Sequence, residues 1–397
     1  TVVSPAFNIE IANESTRWNV GGVAALGNYA TYSDQNYRDY RLFTDVARKV
    51  QRNILFTGGA SYAREHEDAS SIEDTDRRDP TVFHAARAYA ASQFRQDRSK
   101  FQIGATFDDF DFLELRDRDR DRFVFTAGVR YGYALDNRTS VFVDAKYDTR
   151  HYDQSIDYEG FRRSSDGTRL TAGIEHSLSS AFRAQIYGGW LYQRFDDNRF
   201  GTVSDADFGG EFLWKPVPGL TVRGVVGRAL YDTTLYGSSS YLQTSSSMYL
   251  YKWIRPDLRL NAGVSYIDDD FQDIDRRDNV QQYSLGFRKY FSPHLYLGAG
   301  YTFSSRDSTD ISESYERSVF MLRAGRTQTP AYAPEDLEAS DVVTLTRNGF
   351  YVGLRGAQLA PQTKLAGARG AGGILEADFG NWGFAGAGFA GYRFGLG

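Results

Sequence analysis

The stretch Phe123-Val124-Phe125-Thr126-Ala127-Gly128-Val129-Arg130-Tyr131-Gly132-Tyr133-Ala134-Leu135 decides the fold class. Its odd positions hold Phe, Phe, Ala, Val, Tyr, Tyr and Leu, whereas its even positions hold Val, Thr, Gly, Arg, Gly and Ala. Side chains alternate between the two faces of a β-strand, so this pattern predicts a strand with one apolar face and one small or polar face. The same alternation recurs over 141–148, 258–266 and 295–303. We therefore predict an all-β chain.

Two kinds of connection separate these strands. Some are very short, at 51–53, 136–138, 217–219, 255–257 and 292–294. The others are long and acidic, at 67–80, 116–121, 154–166, 268–278 and 304–313. We count seventeen strands between about Ser4 and Thr327, joined alternately by a short turn and a long loop. The repeating unit is thus one hairpin, which argues against a propeller built from four-stranded blades.

The composition combines two properties that rarely occur together. The chain has 397 residues, of which 15% are aromatic, and yet its mean hydropathy is −0.50. A transmembrane barrel explains both, because its apolar and aromatic face contacts lipid while its polar face lines a wet lumen. Closure also removes the strand edges that lipid does not tolerate. We therefore predict an antiparallel transmembrane up-and-down β-barrel of about 16–18 strands in the bacterial outer membrane.

Several other classes of protein are disfavoured. The absence of Cys excludes disulfide scaffolds and Cys-ligated zinc or iron–sulfur sites. A net charge of −5 argues against nucleic acid as a partner, and no apolar run is long enough for a transmembrane helix. The first residues, 1–5, lack the basic and apolar regions of a signal peptide.

The candidate catalytic groups do not form a recognisable pattern. The five His residues form no metal-binding His pair and lie in no Ser–His–Asp context: His66, His84, His151, His176 and His294. The Gly-rich run 367–373 lacks the Lys and Ser or Thr of a phosphate-binding loop, so we interpret it as a flexible turn. We predict no enzymatic activity, no cofactor and no metal ion.

The acidic loops allow two interpretations. The runs 117–122 and 268–278 could bind Ca²⁺ through carboxylate oxygens, although neither has a Gly-pivoted twelve-residue loop. The favoured alternative is that Arg and Asp pair within solvated loops, which would meet the sugars and phosphates of lipopolysaccharide.

The alternation also assigns residues to the two faces of the predicted barrel. Charges fixed in a lumen set the selectivity of a pore. The candidates for lumen-facing positions are Arg130, Asp144, Lys146, Arg183, Gln185, Arg223, Arg259 and Arg323. Their excess of positive charge favours anionic or hydroxylated solutes, unless these residues pair with Asp across the wall. The candidates for the aromatic girdles at the membrane interfaces are Tyr62, Tyr147, Tyr192, Trp214, Trp253, Tyr266 and Tyr301.

The order of motifs resembles the β-barrel porin-2 group of Gram-negative outer-membrane proteins. The matching stretches are 18–40, 61–68, 147–150, 207–218, 231–235 and 266–278, and together they cover about residues 1–328. The resemblance implies an outer-membrane channel, with some members linked to exopolysaccharide export, and it implies no catalytic residues. Relatives have one more strand before residue 1, which implies that this chain is a barrel of about eighteen strands truncated at its N-terminus.

The C-terminal part differs in composition. We interpret residues 329–348 as a linker, because this segment contains Pro and acidic residues. Residues 349–397 hold 14 of the 39 Gly residues. Within this part, 348–356 resembles the first strand of the small OmpA-like barrels, and 382–394 resembles a later one. We predict that 349–397 is the start of a second small barrel; the alternative is a Gly-rich tail.

Three hypotheses for function follow. The first is a porin-like channel that passes small solutes or exports polysaccharide without covalent chemistry, in contact with outer-membrane lipid and lipopolysaccharide. The second is a plugged structural or adhesive barrel that displays its acidic loops, and lumen-filling aromatic residues or an inward-folded loop would favour it. The third is a soluble all-β binding protein, which would need no detergent.

Overall fold

The computed structural model describes residues 2–29, 33–67, 71, 80–292, 295–326 and 392–395. These ranges form β1 Val2–Val3, β2 Ala6–Ala12, β3 Thr16–Gly27, β4 Tyr37–Gln51, β5 Ile54–His66, β6 Val82–Gln96, β7 Ser99–Phe112, β8 Arg122–Ala134, β9 Thr139–Tyr152, β10 Ser165–Ser179, β11 Phe182–Phe195, β12 Val203–Trp214, β13 Leu220–Asp232, β14 Ser240–Arg255, β15 Leu258–Phe271, β16 Arg277–Tyr290, β17 Leu295–Ser308, β18 Tyr315–Arg326 and β19 Tyr392–Gly395. Short 3₁₀ helices occupy Ser33–Gln35, Leu115–Arg120 and Ile311–Glu313.

The strands form one up-and-down antiparallel sheet. From β3 to β18, each strand pairs with the strands before and after it in the chain. β1 and β2 pair with different parts of β3 and thus share one position in the sheet. The break between them falls at Ser4-Pro5, since Pro has no backbone donor for a ladder. The predicted all-β antiparallel architecture and its strand number are confirmed.

The two ends of the sheet do not meet through a ladder in the described residues. No pairing joins β18 to β1 or β2, and the outer edge of β2 instead pairs in parallel with β19, Tyr392 opposite Ile9. Most of the predicted linker and second barrel, 329–391, lies outside the described residues. That division of the C-terminal part therefore stays a prediction.

The two faces of the sheet have opposite polarity, and their exposure is the reverse of that in a soluble protein. Leu285 on β16 is 63% exposed, whereas Arg130 on β8 and Asp144 on β9 are 3% and 5% exposed. Soluble proteins bury aliphatic side chains and expose charged ones. An apolar outer face around a polar interior is instead the arrangement of a barrel in lipid. In the described ranges, no helix is long and apolar enough to span a bilayer.

A charge placed on the outer face should destabilise the barrel far more than the same charge on the inner face. Leu285 and Ser284 are neighbours in β16 and lie on opposite faces. We expect Leu285→Arg to lower the free energy of unfolding by about 2–4 kcal/mol, because its side chain must lie in hydrocarbon. Urea unfolding in lipid vesicles measures this loss. Ser284→Arg is the matched control, and equal losses for the two variants would contradict the assignment of the faces.

The ladder between β12 and β13 is interrupted half-way. Pairing runs only from Trp214 opposite Val222 to Gly209 opposite Gly227. Beyond this point, 203–208 pairs only with β11, and 228–232 pairs only with β14. The long-loop half of the sheet is therefore split, and the end of the β13–β14 hairpin is free to leave the wall.

Candidate functional site: the barrel lumen

A charged network lies on the inner wall formed by β8, β9 and β10. Arg130 and Asp144 are opposite each other in the ladder, and the guanidinium donates two hydrogen bonds to the carboxylate, at 2.9 and 2.6 Å. Glu175 on β10 lies 3.6 Å from the same guanidinium. Such forked pairs hold both side chains in one geometry. This part of the wall is therefore polar and rigid.

The network continues across β10 and β12. Arg169 forms an ion pair of 3.1 Å with the buried Asp207. Lys146 lies directly opposite Arg169 in the ladder. Among the described residues, no carboxylate forms an ion pair with Lys146. The Lys146 amine is thus a cation of the wall without a carboxylate in direct contact among the described residues.

The remaining predicted lumen residues lie further along the wall. Gln185 is buried opposite Glu211, which also pairs with Arg223 at 3.1 Å. Arg183 is exposed near the short-turn end of β11, and Arg259 lies on β15, apart from this network. The side chain of Arg323 is outside the described part of the structure.

Three residues of the network are absent from the sequence prediction: Arg169, Glu175 and Asp207. The signal was present, because Arg169, Thr171, Gly173 and Glu175 alternate with Leu170, Ala172 and Ile174 along β10. Asp207 alternates in the same way with Ala206 and Phe208 on β12. Applying the alternation to every strand would have found all three.

Six of the seven predicted girdle residues lie on the outer face. Their side chains are 36–45% exposed: Tyr62, Tyr147, Tyr192, Trp214, Tyr266 and Tyr301. Trp253 is the exception, and its assignment was wrong. It lies opposite Arg259 in the ladder, and residues opposite each other share a face. The outward neighbours of Trp253 on β14 are Leu250 and Ile254, so Trp253 points inward with Arg259.

The end of the β13–β14 hairpin lies inside the barrel. We call residues 228–242 the lumen hairpin. By alternation, Leu230 of β13 and Leu242 of β14 belong to the outward-facing positions of their strands. Both side chains are nevertheless buried. They pack against Leu191, Phe195 and Val203, which lie on the inner face of β11 and β12. The lumen hairpin therefore passes in front of the inner wall.

Charged residues on the same wall hold the lumen hairpin. Arg228 pairs with Asp205 of β12 at 3.1 Å. Asp232 forms a short ion pair with Arg150 of β9 and lies 3.4 Å from Arg122 of β8. Arg122 and Arg150 share the inward-facing positions of Arg130 and Asp144. Together with the apolar cluster, these contacts join the hairpin to four strands of the wall, β8, β9, β11 and β12.

A buried guanidinium holds the tip of the lumen hairpin. Arg163, in the loop before β10, is held by Asp157 at 2.6 Å. It donates to the carbonyl oxygens of Thr233 at 2.8 Å and of Thr234 and Leu235 at 3.3 Å, and also to that of Ser238. These carbonyls lie in the loop at the hairpin tip, where strand pairing cannot satisfy them. Arg side chains and the apolar cluster around Leu230 and Leu242 therefore both hold this segment on the long-loop side.

Charged side chains of the acidic loop 117–122 contact other groups of the protein. Part of it forms the 3₁₀ helix Leu115–Arg120, from which Arg120 pairs with Glu67. Asp121 accepts a hydrogen bond from the backbone N–H of Phe112 at 2.6 Å, and burial raises the pKa of Asp121 to about 6. Within the ranges described, no group of three or more His, Asp and Glu residues is arranged to hold a metal ion. Within this loop Arg120 also lies 3.9 Å from Asp117, so its closest carboxylate belongs to Glu67 outside the loop.

A polar, charge-lined interior inside an apolar antiparallel barrel agrees with a family comparison. Residues 1–326 match the family described as Putative beta-barrel porin 2. The chain belongs to this family. The resemblance found in the motifs is confirmed for this part of the chain, and this porin-2 barrel is a bacterial outer-membrane protein.

Solved structures share its fold at low sequence identity. The FrpB iron transporter from Neisseria meningitidis, F5-1 variant, is 9% identical with a TM-score of 0.50, over 82% of this chain and 67% of that one. The F3-3 variant is 8% identical with a TM-score of 0.48, over the same shares. The siderophore receptor PirA from Pseudomonas aeruginosa is 9% identical with a TM-score of 0.43, over 83% of this chain and 73% of that one. No curated protein matches the sequence of this porin-2 barrel.

Proposed function

We propose that the protein is an outer-membrane transport channel for small hydrophilic solutes, and that the lumen hairpin narrows its mouth on the long-loop side. The observation that carries this proposal is the charged inner wall, in which Arg130, Asp144 and Asp207 are buried and Arg169 is half-buried. A wall that only filled a closed core would be apolar, because burying charge without a function is costly. Fixed charges along a wet lumen are instead suited to conduct solutes.

We base the expected selectivity on the charges of this wall. Arg130, Arg169 and Arg223 each have a carboxylate partner, so their charges are largely balanced. Lys146 and Arg259 form no ion pair among the described residues. We infer a moderate preference for anionic solutes, set by these two cations rather than by all the lumen arginines. Small solutes remain the favoured cargo; polysaccharide is the alternative.

The lumen hairpin favours a second candidate function. An inward-folded segment that is firmly held could close the barrel and leave a structural or adhesive protein with exposed acidic loops. Its contacts combine polar ones at Asp232 and Arg163 with an apolar cluster around Leu230 and Leu242, but no ladder joins residues 228–232 to β12. We therefore favour a movable constriction.

Planar-bilayer recording tests the channel. The purified protein is inserted into a lipid bilayer between salt solutions of different concentration, and conductance and reversal potential are measured. We expect discrete conductance steps and a reversal potential of the sign produced by anion preference. A barrel that stays silent at every voltage, even after the contacts of the lumen hairpin are removed, would refute the channel and favour the structural role.

A further inference from the structure

A second cluster of cationic and aromatic side chains lies at the opposite end of the lumen. It is formed next to the short turns between β14 and β15 and between β16 and β17, which barrels of this kind place on the periplasmic side. We call it the collar, and its members are Tyr251, Trp253, Arg259, Arg288, Tyr290 and Tyr296. It is separate from the charged network around Arg130 and Asp207.

The ladder places two guanidinium groups side by side in the collar. Arg259 and Arg288 lie directly opposite each other, and Arg259 also lies opposite Trp253. The neighbouring positions Leu260 and Phe287 are exposed on the outer face. The two guanidinium groups therefore share the inner face, where like charges repel each other.

Aromatic rings surround these cations. The Arg259 guanidinium carbon lies 5.7 Å from the centroid of the Tyr251 ring and 5.8 Å from that of Trp253. The Arg288 guanidinium carbon lies 4.3 Å above the ring of Tyr296. Trp253 stacks on Tyr290 with ring centroids 5.6 Å apart. Cation–π contacts stabilise a guanidinium, but they do not neutralise its charge.

The polar atoms of the collar are incompletely satisfied. Within the described residues, Arg259 forms no ion pair, and its buried Nε has no hydrogen-bond partner. The indole Nε1 of Trp253 is likewise buried without an acceptor. The nearest acid in the adjoining turn, Asp257, pairs instead with Arg255 at 3.3 Å and with Lys289. A buried donor without a partner costs free energy, which a ligand that supplies an acceptor would recover.

We propose that the collar is a binding subsite for an acidic sugar, a pyranose ring that carries a carboxylate or phosphate group. The anionic group would accept hydrogen bonds from Arg259 beside Arg288, since a guanidinium fork can donate two parallel hydrogen bonds to a carboxylate or a phosphate. The C–H face of the ring would stack on Trp253 or Tyr251, as aromatic side chains give apolar surface with a polar edge. The inference rests on the proposed channel function, and it specifies the class of solute selected at this mouth.

Equilibrium binding to the detergent-solubilised protein tests the subsite without requiring conductance. The probes are digalacturonate, the neutral digalactoside and inorganic phosphate, and the signals are isothermal heat and tryptophan fluorescence. We expect digalacturonate to bind and to change the emission of Trp253, and expect the other two probes to bind at least about tenfold more weakly, since each lacks one half of the interaction. Equal binding of the neutral disaccharide would overturn the role of the arginines, and equal binding of phosphate would overturn the assignment to a sugar.

Variants separate the collar from general surface charge. Arg259→Gln should weaken digalacturonate binding at least about tenfold. Arg259→Lys should restore only part of it, because an ammonium lacks the planar fork. Arg255→Gln is the matched control, because Arg255 lies in the adjoining turn and pairs with Asp257.

Trp253→Phe identifies the source of the fluorescence signal. This variant should abolish the fluorescence change while heat is still released. Unaltered binding in Arg259→Gln would refute the subsite.

The two proposals fail independently. Loss of the subsite with normal conductance would leave the channel intact. Binding to the collar by a protein that never conducts would instead refute the channel and retain the subsite. Heat-dependent electrophoretic mobility of the folded barrel, measured for each variant, shows that a negative result is not caused by misfolding.

Discussion

Replacing Asp232 with alanine is expected to raise the time-averaged conductance per channel several-fold. Asp232 is the carboxylate that holds the lumen hairpin against Arg150 and Arg122, and all three side chains are nearly inaccessible to water. Removing one partner of a buried ion pair costs about 3–5 kcal/mol, because the remaining charge is left uncompensated. This cost destabilises the conformation in which the hairpin lies inside the barrel. The population of channels with an open mouth should therefore rise by two or more powers of ten, unless the other contacts of the hairpin keep it in place.

A second variant and a control make this result specific. Arg163→Ala removes the hydrogen bonds to the four carbonyls at the hairpin tip and should raise conductance in the same direction. Asp268→Ala is the control, because it removes the ion pair between Asp268 of β15 and Arg277 of β16, which within the described residues does not contact the hairpin. If the two hairpin variants conduct no more than the native protein does, the hairpin is not the constriction.

Replacing Lys146 with glutamate is expected to convert an anion-preferring channel into a cation-preferring one. The new carboxylate would lie on the wall that already holds Asp144 and Asp207, opposite Arg169. The change of two charge units acts in a lumen with little screening, because the Debye length is about 10 Å at 0.1 M salt. The reversal potential under a salt gradient should change sign, and the shift should shrink toward 1 M salt, where the Debye length is about 3 Å.

The control for this prediction is Lys289→Glu. Lys289 carries the same charge but points away from the lumen and pairs with Asp257 in a short turn. It should leave the reversal potential unchanged. A Lys146→Glu channel with native selectivity would mean that ions do not pass along the β8–β12 wall.

The sequence was sufficient to predict the wall but not the lumen hairpin. In β13, alternation assigns Leu230 to the same outer face as Val226, and in a regular barrel both would contact lipid. Val226 is exposed, yet Leu230 is buried against Leu191 and Phe195 inside the barrel. Alternation reports only which side of its own strand a residue occupies. It contains no information about whether that strand is still part of the wall.

Trp253 illustrates a second kind of failure. Its distance from a Pro-containing turn indicated a girdle position, and Trp214 occupies a similar place before the turn at 217–219. Trp214 is exposed on the outer face. Trp253 instead occupies an inward-facing position of β14, one residue before the outward-facing Ile254, and lies opposite Arg259. Here the alternation in the sequence was the better guide, and distance from the turn was misleading. The collar could therefore have been located from the alternation of β14 and β15.

Alternation along the chain was enough to predict the strands and their order, and the motifs were enough to predict the family. These properties depend on local alternation and on connections between strands that are neighbours in the chain. Three features could be seen only in the folded chain: the end of the β12–β13 ladder, the contact of Asp232 with Arg150, and the Arg259–Arg288 neighbours, in which Arg259 has no ion pair among the described residues. Those contacts join residues far apart in the chain, and their energies depend on strand register and on bending into the lumen, which no pattern of apolar and polar residues encodes.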